Sequence, residues 1–232
     1  MQNAYCAIIP AYNAEKKIGE VVSNLAKYLP NSPIVVINDG STDFTNRIVQ
    51  RYKVIYIEHT RNKGKGRALK SGFQIARAIN SFYIFTLDAD GQHDPRDVVT
   101  FQRDMNKKKL DMLIGSRMSN PTNMPLHRML SNRLTSKLIS WRINANVEDS
   151  QSGYRLICHN VLENLKLNSN RFEIESETII KAADRGFKIG FTKIKSTYST
   201  KNSNIKFIDI FCFIRLFVKS FLWKKRCVAQ FG

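Results

Sequence analysis

The segment IFTLDADGQHDP, residues 84–95, ends an apolar run with two carboxylates. Its first four residues are typical of a buried strand, and Asp88 and Asp90 follow with a single residue between them. Two carboxylates this close repel each other, and a divalent cation would offset that repulsion. Two oxygen ligands that leave several coordination positions open suit Mg²⁺ or Mn²⁺ shared with substrate phosphates. The alternative is an ordinary turn whose acidic residues cap a helix that begins near Pro95.

Short apolar runs alternate with helical patterns on both sides of this segment. Apolar residues recur at helical spacing in residues 14–29, and a second helical pattern covers residues 67–79. Strands are predicted at residues 5–9, 33–37, 54–57, 82–87 and 112–115. Continuous apolar strands that alternate with helices predict an α/β fold, with a parallel sheet covered on both faces.

A polar loop follows each of the first four predicted strands. The loops read PAYN (10–13), NDGSTD (38–43), RNKGKG (61–66) and DADGQHD (88–94). Each comes after the carboxyl end of its strand, and ligands bind at that edge of an open α/β sheet. We therefore expect the loops to converge on one crevice, which favours metal binding over the turn interpretation for Asp88 and Asp90.

Composition limits the classes of partner and site. The chain has 232 residues, 43% of them hydrophobic, and a formal net charge of +18, which predicts an anionic partner. Nucleic acid, anionic lipid and phosphorylated small molecules all fit that charge, but no RNP, zinc-finger or helix-turn-helix signature supports nucleic acid. The four cysteines form no CxxC pair, which indicates a reduced, cytoplasmic chain without a zinc site. Neither a signal peptide nor a run of about 18 apolar residues is found.

The loop NKGKGRALKSG, residues 62–72, is basic and rich in glycine. It matches neither GxxxxGK[ST] nor GxGxxG, because Leu69 stands where the third glycine would be. This counts against a P-loop ATPase and a dinucleotide dehydrogenase. Gly64 and Gly66 still allow a ligand to approach the backbone closely, although a solvated basic turn fits equally well.

Six motifs in order resemble glycosyltransferase family 2. They are IIPAYNAE (8–15), VVINDGSTD (35–43), RNKGKGRAL (61–69), LDADGQHDP (87–95), IGSR (114–117) and EDSQSGYR (148–155). The set is most similar to the dolichol-phosphate mannosyltransferase-like branch, which attaches sugars to polyprenyl phosphates, and the resemblance covers roughly residues 4–200. It implies a GT-A fold, a Rossmann-like and mostly parallel sheet flanked by helices. It also implies a nucleotide-sugar donor, such as a UDP- or GDP-sugar, and Mg²⁺ or Mn²⁺ as cofactor.

The resemblance also implies roles for individual residues. Donor-binding positions are Pro10, Ala11, Tyr12 and Asn13 along the nucleoside, Asp39 on the base or ribose, and Lys65, Gly66, Asp88, Ala89, Gln151, Ser152 and Arg155. The implied metal ligands are Asp88, Asp90 and Gln92. The implied catalytic set is Asp90, Arg117, Arg128, Arg133 and Asp149, with Arg117 on the donor phosphates and Arg128 and Arg133 on an acceptor phosphate. Phe44 departs from the family pattern, which often has a small residue there.

These implications lead to two alternative reactions. The first is inverting transfer of a sugar from a nucleotide diphosphate to a polyprenyl phosphate, dolichyl or undecaprenyl, which needs no general base because the phosphate is already largely dianionic at neutral pH. The second is transfer to a hydroxyl of a glycan or lipid of the cell envelope. That reaction needs a base, for which Glu173 and Glu175 are candidates. Both glutamates also suit an ordinary helix N-terminus.

We expect a catalytic domain at residues 1–204 and a basic amphipathic helical tail at residues 205–232. In a helix, Lys206, Asp209, Arg215 and Lys219 form a narrow polar stripe, aromatic and aliphatic residues cover the rest, and KKR (224–226) follows. This pattern favours a helix in the membrane interface. The alternative is packing on the catalytic domain or on a second subunit of a homo-oligomer. The membrane interpretation places the protein peripherally on the cytoplasmic face of a membrane, without the transmembrane helices of many relatives.

Overall fold

A seven-stranded sheet forms the centre of the protein in the computed structural model, which describes residues 4–118, 124–195 and 207–228. Its strands are β1 (Tyr5–Ala11), β2 (Ile34–Asn38), β3 (Ile55–Glu58), β4 (Tyr83–Thr86), β5 (Met112–Ser116), β6 (Arg155–Cys158) and β7 (Ile189–Lys193). The order across the sheet is β3-β2-β1-β4-β6-β5-β7. All neighbouring pairs are parallel except those of β6, which runs antiparallel to both β4 and β5.

Helices cover both faces of this sheet. They are α1 (Ile18–Tyr28), α2 (Thr45–Val49), α3 (Lys65–Ala78), α4 (Asp97–Lys108), α5 (Leu126–Ile143), α6 (His159–Asn164), α7 (Ile174–Asp184) and α8 (Phe207–Val228). Two clusters of buried apolar side chains lie on opposite faces of the strands. Alternate residues of β1 divide between them, with Ile8 in one cluster and Ile9 in the other. The predicted α/β fold with a parallel, doubly covered sheet is thus confirmed, with β6 as the antiparallel exception.

The order in which the strands are connected determines where the crevice lies. From β1 the chain passes to β2 and then to β3 on one side, and β4 returns to the other side of β1. The strand order therefore reverses between β1 and β4, and ligands bind at such a switch point, outside the carboxyl ends of the strands. β1 continues two residues past the predicted strand, so Pro10 and Ala11 of PAYN form its end, and DADG comes just after β4. The two segments therefore lie beside each other at this edge, because β1 and β4 are neighbours in the sheet.

The C-terminal appendage is the helix α8, as predicted, and it begins at Phe207. The expected domain boundary at residue 204 lies outside the described residues. Lys206 also lies outside them. The antiparallel β6 and the edge strand β7 are absent from the strands that the sequence predicts. Both are short, and β6 begins inside the polar motif DSQSGYR, which gives no strand pattern of its own.

Candidate active site

The loops after β1 and β2 hold each other in place. The Asn13 N–H donates to Ser41 Oγ at 2.9 Å, and the Thr42 N–H donates to Asn13 Oδ1 at 2.8 Å. Asn13 adopts a left-handed backbone conformation with φ of 50°, which asparagine tolerates better than most residues. Tyr12 is left half exposed at the mouth of the crevice, and Phe44 is exposed on the neighbouring loop. The predicted nucleoside-binding segment thus lies at the expected edge with an aromatic ring available to a ligand.

Asp39 joins this region to the loop after β3. Its carboxylate accepts the backbone N–H groups of Lys63 and Gly64 at 2.8–3.1 Å, and its Oδ1 lies 2.6 Å from His59 Nδ1. The side chain is almost fully buried. The structure therefore gives Asp39 an internal role that sequence reasoning did not indicate. Its contact with a base or ribose stays a prediction.

Asp88 and Asp90 lie just beyond the end of β4, as expected. The Asp88 N–H donates to His93 Nδ1 at 3.3 Å, and Asp90 Oδ1 accepts the Gln92 N–H at 3.0 Å. The His93 ring is buried and stacks on Tyr154 at 5.0 Å between ring centroids. Burial lowers the pKa of His93 to about 4, so the ring is neutral near pH 7. A neutral, buried imidazole thus fixes the backbone of the first carboxylate.

Lys65, at the start of α3, lies between two carboxylates. Its Nζ is 2.5 Å from Asp88 Oδ1 and 2.6 Å from Glu175 Oε1 at the start of α7. The motif QSGYR makes room for this arrangement, because a Cβ at Gly153 would stand 2.7 Å from Asp88 Oδ2 and 2.9 Å from Lys65 Nζ. A side chain at position 153 would therefore displace the Asp88 carboxylate and the Lys65 ammonium group from these positions. Sequence reasoning placed Gly153 in a motif without assigning it this function.

The two carboxylates differ in their electrostatic surroundings. Burial alone would raise the pKa of Asp88, but the charges of Lys65 and other neighbours hold it below its usual value. The pKa of Asp90 is raised by burial and by the negative charge of Asp88. A divalent cation would relieve this mutual repulsion, so the pair fits Mg²⁺ or Mn²⁺. In the parts of the chain that the structure describes, no group of three His, Cys, Asp or Glu side chains is arranged to hold a metal.

Arg117, just after β5, is held by Asp149. The guanidinium makes a bidentate ion pair with the fully buried carboxylate, through Nε to Oδ2 at 2.8 Å and Nη2 to Oδ1 at 2.9 Å. The Arg117 N–H and Asn132 Nδ2 also donate to Asp149. Burial would raise the pKa of Asp149, and Arg117 lowers it below its usual value. Asp149 is thus held in its ionised form and orients Arg117. The contact of Asn132 with Asp149 was not predicted from the sequence.

The remaining residues of the DSQSGYR motif point largely into the protein. Arg155 is buried and donates to the backbone carbonyls of Ser150, Ser152 and Glu175 at 2.8–3.1 Å. Gln151 Nε2 donates to Thr135 Oγ1 at 3.1 Å. Arg155 therefore fixes the motif against α7, and a sugar contact from Gln151, Ser152 or Arg155 stays a prediction.

Helix α5 carries the two arginines predicted to hold an acceptor phosphate. Arg128 lies one helical turn before Asn132, on the side of the helix that faces Asp149, and is half-buried. Arg133 is exposed and lies toward the opposite side, with the exposed Leu130 and Leu134. The structure therefore places the two arginines on different sides of α5, although both were predicted to hold the acceptor phosphate.

Helix α8 packs on the catalytic domain through one face. Asp209 Oδ1 accepts from Arg171 Nε at 2.9 Å, Ser220 accepts from Arg142, and Trp223 lies under Lys181. Asp209 thus faces the domain, whereas Arg215 and Lys219 of the predicted polar stripe are exposed. Within the described residues, no helix combines the length and the apolar character that crossing a bilayer requires.

Known proteins place these features in a family. The family model described as "Glycosyl transferase family 2" matches residues 6–166. An uncharacterized protein from Methanocaldococcus jannaschii is 38% identical over 83% of this chain and 81% of its own length. A UDP-N-acetylglucosamine–dolichyl-phosphate N-acetylglucosaminyltransferase from Methanococcus voltae is 34% identical over 83% of this chain and 85% of its own.

A solved structure supports the fold assignment. Glucosyl-3-phosphoglycerate synthase from Mycobacterium tuberculosis, in complex with Mn²⁺, UDP and phosphoglyceric acid, superimposes with a TM-score of 0.69 at 16% identity, over 96% of this chain and 78% of that one. The expected GT-A architecture is therefore confirmed. Because the family match covers more than half of the residues and the relatives align over most of their length, the chain belongs to glycosyltransferase family 2.

Proposed function

We propose that the protein transfers a sugar, with inversion, from a nucleotide diphosphate to a polyprenyl phosphate. The observation that carries this proposal is the arrangement at the switch-point crevice, where Arg117, paired with the buried Asp149, is close enough to Asp88 and Asp90 for its charge to lower the pKa of both. The relative from Methanococcus voltae, whose name includes dolichyl phosphate as acceptor, supports the substrate class.

On the donor side, the reaction builds negative charge on the leaving diphosphate. Asp88, Asp90 and the predicted ligand Gln92 would hold Mg²⁺ or Mn²⁺. When bound, this cation would neutralise the negative charge on the diphosphate. Arg117 is preorganised for the same charge, because Asp149 fixes its guanidinium before the donor arrives. Tyr12 and Asn13 at the mouth of the crevice would hold the nucleoside.

On the acceptor side, a phosphate fits the crevice better than a hydroxyl does. A phosphate is already an anionic nucleophile, and Arg128 would position it. A hydroxyl needs a base, but the Glu175 carboxylate is ion-paired with Lys65 and would have to leave it to accept a proton. Glu173 accepts the Arg171 N–H at the start of α7, as an ordinary helix N-terminus would. These contacts favour the phosphate acceptor over the hydroxyl alternative.

We also propose that α5 and α8 bring the crevice to a membrane that contains the lipid acceptor. Exposed apolar side chains extend over both helices: Leu126, Leu130, Leu134 and Trp141 on α5, and Phe211, Ile214, Val218 and Leu222 on α8. Trp141 joins the two helices by contacts with Phe217 and Phe221. Exposed Arg215 and Lys219 and the charge of +18 suit an anionic leaflet. The free thiols of Cys6, Cys158 and Cys212 agree with the cytoplasmic face.

The reaction is tested with matched acceptors. Purified protein is incubated with Mn²⁺, a panel of UDP- and GDP-sugars and either a polyprenyl phosphate or the corresponding polyprenol. We expect a glycolipid product only with the phosphate and with a defined anomeric configuration, opposite to that of the donor. Transfer to the polyprenol at a comparable rate would favour the hydroxyl alternative, and retention of configuration would contradict the single displacement.

A further inference from the structure

The ammonium group of Lys65 has two anionic partners where one would neutralise it. Its Nζ contacts Asp88 at 2.5 Å and Glu175 at 2.6 Å, and the exposed fractions of the three side chains are 14%, 26% and 6%. Asp88 is a predicted ligand of the divalent cation, but Glu175 has no part in the reaction proposed above. The question is what a second, deeply buried carboxylate does behind this lysine.

Both partners of Lys65 are held at fixed positions. Arg155 Nη1 donates to the Glu175 backbone carbonyl at 2.8 Å, which fixes the first turn of α7. Asp88 is fixed by His93, and Gly153 leaves the space in which the ammonium group lies. A short movement of the flexible lysine side chain is enough to shift its ammonium group from one carboxylate toward the other.

A cation at Asp88 would meet the positive charge of Lys65. A divalent ion at the Asp88–Asp90 pair and an ammonium group on Asp88 Oδ1 repel each other across a few ångströms, in surroundings where water screens little. Glu175 offers the ammonium group another anionic partner, at a distance that the lysine already reaches.

We propose that Lys65 is a built-in counter-cation that competes with the divalent ion at Asp88, and that Glu175 is the positioning residue that accepts the ammonium group when the ion binds. The proposal rests on the proposed donor site. Lys65 neutralises Asp88 while the crevice is empty and so limits metal affinity in the absence of nucleotide. Glu175 weakens this competition with the metal ion, because its negative charge offsets part of the positive charge of Lys65.

The two side chains therefore have opposite effects on metal affinity. Removal of the lysine charge deprives Asp88 and Glu175 of the ammonium group that both contact, so Mn²⁺ binds more tightly. Neutralising Glu175 leaves the full lysine charge on Asp88, so Mn²⁺ binds more weakly. A purely structural role would predict weaker binding in both cases, since both changes would disturb the same site.

The test measures Mn²⁺ affinity of the full-length protein without nucleotide, by the electron paramagnetic resonance signal of free Mn²⁺. We expect about tenfold tighter binding for Lys65→Met and severalfold weaker binding for Glu175→Gln, as unit charges a few ångströms from a divalent ion imply. Lys70→Met on the same helix and Glu173→Gln just before α7 are the matched controls, and both should stay within about twofold of the wild type. Circular dichroism monitors folding, and Lys65→Gln replaces Lys65→Met if the latter unfolds.

Four outcomes would overturn the inference. Weaker binding by a folded Lys65 variant excludes competition, and unchanged or tighter binding by Glu175→Gln excludes the positioning role. If the wild type binds no Mn²⁺ even with UDP present, the metal site of the proposed function and this inference fall together. If the wild type binds Mn²⁺ but the two variants shift in the same direction, only this inference falls.

Discussion

Asp88 and Asp90 differ in their contacts although they stand two residues apart. Asp88 is tied to Lys65 and to His93, whereas Asp90 accepts the backbone N–H of Gln92. The more weakly held carboxylate has the higher pKa, because burial and the neighbouring Asp88 both disfavour its charge. The surroundings of Asp90 therefore disfavour its negative charge, whereas those of Asp88 favour it.

Replacing either carboxylate by the amide should remove most turnover while the fold is kept. Asp88→Asn and Asp90→Asn each delete an anionic ligand, and we expect a loss of at least about 100-fold in kcat/KM, because a divalent cation contributes several kcal/mol of charge stabilisation. Steady-state assays with the preferred donor measure this, with EDTA-treated wild type as reference. A folded variant with near-wild-type turnover would contradict the metal assignment.

Arg128 and Arg133 should separate in their effects on the acceptor. Arg128 lies on the side of α5 that reaches Asp149, and Arg133 is on the exposed side. Arg128→Ala should therefore raise the acceptor KM by about tenfold or more, as loss of a charge-assisted hydrogen bond predicts, and Arg133→Ala should raise it less. Kinetics with varied polyprenyl phosphate at saturating donor measure the difference. Loss of donor affinity with an unchanged acceptor KM would reverse the roles proposed here.

At the scale of elements, α5 connects the crevice to the outer apolar surface. One of its faces buries Asn132, Ser136, Ile139 and Arg142, and the other exposes Leu126, Leu130 and Leu134. Arg142 binds Ser220 of α8 and forms a bidentate pair with Asp184 of α7. A membrane bound at the exposed leucines would therefore lie one helix diameter from the Asp149–Arg117 pair.

Charges introduced on the outer faces of α5 and α8 should weaken binding to lipid. Leu130→Glu and Val218→Glu each place a carboxylate where an apolar side chain is exposed, and we expect at least a fivefold loss of co-sedimentation with anionic liposomes, because burial of an apolar side chain and attraction to the leaflet are both reduced. Val99→Glu is the matched control, since Val99 is exposed on α4. Equal losses in all three variants, or no sedimentation of the wild type, would refute the membrane role and favour a contact with a second subunit.

At the scale of the whole molecule, the stability of the fold should depend on pH through Asp97. Burial and the charge of Asp94 raise its pKa from 3.8 to about 6. Because the folded pKa is raised, the folded state binds more protons than the unfolded state between these values, and the free energy of unfolding decreases as pH rises from about 4 to 6. Asp97→Asn removes this penalty.

Thermal unfolding of the Asp97→Asn variant measures the effect. The side chain is only half-buried, so after discounting for solvent screening we expect the variant to be more stable at pH 7.5 by about 1 kcal/mol, or roughly 2–4 °C in Tm. At pH 4 the two proteins should melt within about a degree of each other. A Tm difference that is the same at both pH values would show that Asp97 does not titrate as inferred.

The sequence by itself determined the strand–helix alternation, the edge at which the loops meet and the family. These properties are local, since a buried strand needs a continuous apolar run and the loop motifs occupy consecutive positions. The position of Asp88 and Asp90 just after β4 and the helix of the tail were therefore predicted from the sequence, whereas the roles of Asp88, Asp90 and Arg117 stay predictions. The β6 strand was missed, because its pairing with β4 and β5 depends on neighbours that its four residues do not reveal.

Only the tertiary structure decided which distant side chains meet. It brought Lys65, Asp88 and Glu175 into contact from three different elements, placed Asn132 on Asp149, and gave Asp39 and Arg155 internal partners. It also separated Arg128 from Arg133 and left the leucines of α5 exposed. Such contacts depend on how whole elements pack, and periodicity specifies that a helix has an apolar face without specifying what covers it.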